Sequence, residues 1–194
     1  MLAGAGMAAV VDPPDVDERA ADPLLAQVGP EGLALELARR KAAAVAPRHR
    51  GARVIAADQV GLLGEGPDAV MLTKQPTAEG AVDQLVAMSA GTHRLVNGLV
   101  VLDVDSGRRV EGVDVQVVTM RAFTRAEAEA YVARFEPFDS AGSYRLEDQE
   151  AMGEGAGFVV QVHGEHDSGV LGLPLPLLRR LLARITSDAG PSDR

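Results

Sequence analysis

Asp58 closes the apolar run Val54-Ile55-Ala56-Ala57, which reads as a short buried strand. In open α/β sheets ligands bind beyond the carboxyl ends of strands. A carboxylate placed there can take a proton from water or hold a divalent metal. A turn or helix-capping aspartate is the other reading of the same pattern. Lys41 and Lys74 are the only lysines. Each can neutralise phosphate as a mobile point charge. Alternatively, Lys41 complements a helix C-terminus and Lys74 is simply solvated. Asp15-Val16-Asp17-Glu18 can coordinate Mg²⁺ through oxygen ligands, or remain a solvated acidic loop. His163-Gly164-Glu165-His166 lacks the helical i, i+4 histidine pair of a zinc site and reads as a surface turn.

Short apolar runs alternating with helical patterns must position these groups, and that alternation predicts an α/β fold. Strands are expected at Ala8–Val11, Arg53–Ala57, Val60–Gly64, Ala69–Leu72, His93–Val104, Val110–Met120 and Phe158–Val162. In Val113-Asp114-Val115-Gln116-Val117 the alternation marks Asp114 and Gln116 as a solvated face. Helices are expected over Glu31–Ala46, from Thr77 to Met88, from the capping box Thr124-Arg125-Ala126-Glu127 to Phe135, and over Pro174–Ile185. Asp15–Pro30 and the Gly-rich stretch Ser140–Gly157 read as loops. Residues 1–186 read as a single domain and 187–194 as a frayed tail.

With 19 basic and 28 acidic residues, the chain carries a formal charge of −9, which argues against nucleic-acid polymers as partners but not against a mononucleotide. Aromatics make up 3% against 46% hydrophobic residues, so the core must be aliphatic. Without cysteine there are no disulfides, thiolate metal sites or cysteine nucleophiles. No apolar run suits a membrane span and the start lacks a basic signal-peptide region, so the cytoplasm is the expected location.

Read together, these segments resemble the Maf family of nucleoside triphosphate pyrophosphatases. Leu2-Ala3-Gly4-Ala5-Gly6 is similar to the family's L-A-x-x-G helix end, and Pro14 to Glu18 to its P-x-V-D-E. Leu37 to Ala42 resembles L-A-x-E-K-A, Ala57-Asp58-Gln59-Val60 resembles [AS]-D-[TQ]-V, and Thr73-Lys74 resembles G-K-P. Ser89 to His93 is similar to S-G-x-T-H, and Thr119-Met120-Arg121 to T-F-R. Ala141-Gly142-Ser143-Tyr144 resembles A-G-[AS]-[YF], and Val170 to Leu175 resembles V-V-G-L-P-L.

The resemblance implies a Maf/ITPase-like mixed twisted sheet with flanking helices. It implies hydrolysis of a nucleoside triphosphate to the monophosphate and pyrophosphate with Mg²⁺ or Mn²⁺, and a homodimer as the expected assembly. Asp58 would be the base, Glu18 and Asp58 would place the metal, and Lys41 and Lys74 would face phosphates. Gln59 and Glu147 match a subgroup that prefers 7-methyl-GTP, and would contact the base. Members of the family open with a strand and S-x-S-P-R-R, whereas this sequence starts within the helix that follows. A longer natural chain is therefore expected. The alternative is a non-catalytic, nucleotide-binding or division-regulating protein with a degenerate site. Gln75 also separates Lys74 from Pro76, where the family has Lys-Pro.

Overall fold

The computed structural model describes residues 2–187. The expected tail therefore lies outside the described residues beyond Ser187. Five strands form one sheet in the order β2-β1-β3-β4-β5. They are β1 (Arg53–Leu63), β2 (Val70–Leu72), β3 (Thr92–Asp103), β4 (Arg109–Met120) and β5 (Val159–His163). The helices are α1 (Leu25–Val45), α2 (Ala78–Met88), α3 (Arg125–Phe135), α4 (Asp148–Met152) and α5 (Leu175–Ser187). The α/β class expected from the sequence is what the structure has. The pairings of β1 with β2 and of β4 with β5 are antiparallel. Among the described residues, no helix is long and apolar enough to cross a membrane.

The chain divides into two compact units that alternate along the sequence. The first comprises Met1–Gln59, Val96–Val115 and Glu165–Arg194, and the second Val60–Leu95 and Gln116–Gly164.

In the first unit, α1 covers one sheet face. Ala38, Ala42 and Val45 pack against Val54, Ala56 and Val100. The approach is close enough to require glycine on β3. A Cβ at Gly98 would lie 2.3 Å from the backbone carbonyl of Ala34. Helix α1 begins earlier than the sequence suggests, and a 3-10 segment, Arg19–Leu24, precedes it. Gly29, at φ 70°, kinks it before Pro30, so the Glu31–Val45 portion matches the expected helix. The fully buried Ala21 anchors part of what reads as an acidic loop. Helix α5 covers the opposite face. Leu177, Leu178, Leu181 and Ile185 pack with Leu99, Val101 and Val110, and Ile55 and Ala57 join them. Ala8–Val11 is not a strand. Val10 and Val11 are each 88% exposed, and apolar character alone does not make a strand without a partner to bond.

In the second unit, local side-chain chemistry sets both helix starts. Thr77 Oγ1 accepts from Gly80 N–H at 3.1 Å, and Thr124 and Glu127 form the expected capping box. Phe123 and Phe158 stack at 4.2 Å, with Tyr131 edge-on to Phe158 at 5.2 Å. The loop expected over Ser140–Gly157 contains the short helix α4.

Candidate active site

Asp58 does not end a strand. Strand β1 continues to Leu63 and places Asp58 at its middle, 8% exposed. Successive strand residues face opposite sides, so Asp58 shares the α1-covered face with Val54 and Ala56. On α1, Lys41 lies two helical turns beyond Ala34, the residue in backbone contact with Gly98. That contact sets the height of Lys41 above the sheet. Its ammonium bridges two carboxylates, at 2.5 Å from Asp58 Oδ1 and 2.7 Å from Glu18 Oε1. Burial pulls Lys41 toward neutrality. The hydrogen bonds and charges of Asp58 and Glu18 outweigh that pull, and its pKa lies above the ordinary lysine value. Lys41 is therefore a fixed cation rather than a base.

The acidic stretch does not act as a unit. Glu18 joins Lys41, whereas Asp17 Oδ1 accepts from Ala20 N–H at 3.3 Å. Among the described residues no group of three or more His, Cys, Asp or Glu gathers for a metal. Glu18 and Asp58 come from separate elements and converge on one cation. Both are hard oxygen donors of the type that Mg²⁺ or Mn²⁺ accepts, and here they are paired with the Lys41 ammonium. The His163–His166 turn is committed elsewhere: Glu165 pairs with Arg180, and His166 Nδ1 accepts from Ser168 N–H at 3.0 Å.

Gln59 faces the other side of β1. Its Nε2 donates to Asn97 Oδ1 and to Gly169 C=O, each at 2.9 Å. Asn97 Nδ2 donates to Asp114 Oδ2 at 3.0 Å and to Gly169 C=O at 2.9 Å. This network, on the α5-covered face, ties β1, β3 and β4 to the segment leading into α5. Asp114 and Gln116, expected to face solvent, are 8% and 0% exposed, whereas Val115 is 37% exposed. The five-residue alternation had the period right and the face wrong. Extended in both directions, Asp114 and Gln116 share parity with buried Val110, Val118 and Met120, which was the available signal.

Lys74 and Glu147 belong to the second unit. Both are exposed, Lys74 between β2 and α2, and Glu147 immediately before α4 with no side-chain capping bond. Lys74 is near enough to Asp139 to help hold that carboxyl below its usual range, behind the larger effect of Arg145.

A family profile described as Maf-like protein matches residues 1–185. The chain belongs to the Maf family. It is 34% identical to the 7-methyl-GTP pyrophosphatase of Nitrosococcus oceani, over 94% of this chain and 85% of that one. It is 40% identical to a nucleoside triphosphate pyrophosphatase of Streptomyces coelicolor, over 94% and 83%. It is 38% identical to a dTTP/UTP pyrophosphatase of Rhodospirillum rubrum, over 89% and 75%. These relatives share a reaction and differ in the nucleotide named. Within this Maf chain, the elements carrying Glu18, Lys41 and Asp58 all lie in one compact unit.

Proposed function

We propose that this chain hydrolyses a nucleoside triphosphate between its α- and β-phosphates, consuming one water and releasing the monophosphate and pyrophosphate. The observation that carries this reading is the Lys41 ammonium held between Asp58 and Glu18. Asp58 is the base: its carboxylate accepts a proton from the attacking water. Lys41 pairs with Asp58 at 2.5 Å and offers positive charge to phosphate oxygens. A divalent ion held by Glu18 and Asp58 would supply charge neutralisation when bound. By the family resemblance, Lys74 is a further counter-charge to phosphate. The same reading places the protein in the cytoplasm, acting as a homodimer in keeping with its family.

For the base, the reading favours 7-methyl-GTP over dTTP and UTP. The Glu147 carboxylate is not spent on capping α4, and it can accept from the N1–H and amino group of a cationic guanine with charge assistance. Separating products by ³¹P NMR tests the reaction: pyrophosphate with monophosphate supports it, and orthophosphate with diphosphate overturns it. Glu147→Gln tests the base preference separately. Its kcat/KM for 7-methyl-GTP should fall toward the values for dTTP and UTP. An unchanged ranking removes Glu147 from base recognition.

A further inference from the structure

Gln84 lies on α2 in the second unit and is half-buried. Its side-chain amide meets both backbone polar groups of Thr73. Oε1 accepts from Thr73 N–H at 3.2 Å and Nε2 donates to Thr73 C=O at 3.1 Å. The same Nε2 donates to Ala141 C=O at 2.8 Å and to Ser143 Oγ at 2.7 Å. Gln75 adds to the knot, its Nε2 donating to Gln84 Oε1 at 3.2 Å and to Thr73 Oγ1 at 3.0 Å. Thr73 and Gln75 are the two neighbours of Lys74. One glutamine therefore fixes the backbone on which Lys74 stands, and ties it to the Ala141–Ser143 turn.

That turn is itself over-determined. Ser143 is fully buried with φ 55°, a left-handed conformation that a serine keeps only where its surroundings enforce it. The next residue, Tyr144, has its hydroxyl 2.8 Å from His93 Nε2 on β3, and both side chains are buried. Gln84 thus connects the Lys74 segment to a stretch that cannot easily shift. None of the sequence motifs above includes Gln84.

We propose that Gln84 is a positioning residue for Lys74. Its amide holds the Thr73–Gln75 backbone in place before phosphate binds. A lysine on an unrestrained loop would lose backbone freedom as well, and that loss would be subtracted from binding. The inference rests on the reading of Lys74 as a phosphate ligand.

The test is a double-mutant cycle on the full chain. It uses Gln84→Met, which keeps side-chain length without the amide, and Lys74→Met, which keeps length without the charge. Gln84→Met should lower kcat/KM for the triphosphate about tenfold, mainly through KM, and speed amide exchange in the peptide spanning Leu72–Pro76. In the Lys74→Met background the same substitution should change kcat/KM by less than about twofold, because the group it positions is gone. Full additivity of the two losses overturns the proposal, since a general structural role would act without Lys74. So does a Gln84→Met enzyme with wild-type kcat/KM. If Lys74→Met itself has wild-type kcat/KM, the phosphate role of Lys74 fails and this inference falls with it. Pyrophosphate production by the unmodified enzyme would still stand. Should Gln84→Met lose its fold by circular dichroism, Gln84→Glu carries the same cycle. It retains an acceptor for Thr73 N–H and loses the N–H donors.

Discussion

Lys41→Met keeps the length of the side chain and removes its charge, which isolates what the ammonium does for Asp58. The Asp58 side chain is 8% exposed, and its Glu18 counterpart is 43% exposed. Glu18 can turn to water once the ammonium is gone, but Asp58 cannot. Removing one member of a buried ion pair costs about 3–5 kcal/mol in general. The residual exposure of Asp58 should reduce this to about 2–4 kcal/mol at neutral pH. Urea unfolding at about pH 7 measures the deficit. Lys41→Met with Asp58→Asn should recover about 1–3 kcal/mol over Lys41→Met alone, because the buried carboxylate charge that the ammonium balanced is gone as well. A Lys41→Met protein within about 0.5 kcal/mol of wild type at neutral pH, or a deficit that Asp58→Asn does not relieve, refutes the reasoning.

Two further outcomes follow from the packing. Gly98→Ala drives a methyl group into the Ala34 backbone and should cost about 2 kcal/mol or more. Because the displaced helix carries Lys41, pyrophosphate release should fall along with the melting temperature; full activity in a destabilised protein would show that α1 height does not matter. Burial pushes His93 down to about 4. With the folded value depressed, its contribution is complete above the unfolded value of about 6.5 and lost as pH falls toward about 4, amounting to roughly 3 kcal/mol. His93→Phe should therefore flatten stability against pH in that window, as read by chemical unfolding, and a wild-type slope would show that another group is responsible.

Much of the fold was legible where a few adjacent residues decide it. The Thr77 and Thr124 caps each act within three residues, and both helices start where the sequence says. The connection between β3 and β4 is also local, running from Val104 to Arg108, and Asp103 N–H donates to Arg108 C=O across it at 2.8 Å. The candidate site was less legible, because polar residues inserted into buried strands break the pattern used to find strand ends. Asp58-Gln59 looked like a terminus for that reason, whereas β1 runs on to Leu63. Gln59 and Asp58 are neighbours in sequence and sit on opposite faces, which follows from strand geometry once the strand is known to continue. The Lys41–Asp58 contact depends on α1 meeting β3 at Gly98, a non-local packing fact that no local pattern encodes. The family resemblance assigns the two separate roles, Asp58 as base and Lys41 facing phosphate, and says nothing of a contact between them.

The central claim is that Asp58 is the base for hydrolysis to pyrophosphate. The most direct measurement is the rate of pyrophosphate release from a nucleoside triphosphate with Mg²⁺ or Mn²⁺, wild type against Asp58→Asn. Asparagine is nearly isosteric but cannot accept the proton of the attacking water. The account predicts a fall of at least about a hundredfold, with the folded state retained by circular dichroism. Asp58→Asn releasing pyrophosphate within about threefold of the wild-type rate would contradict it.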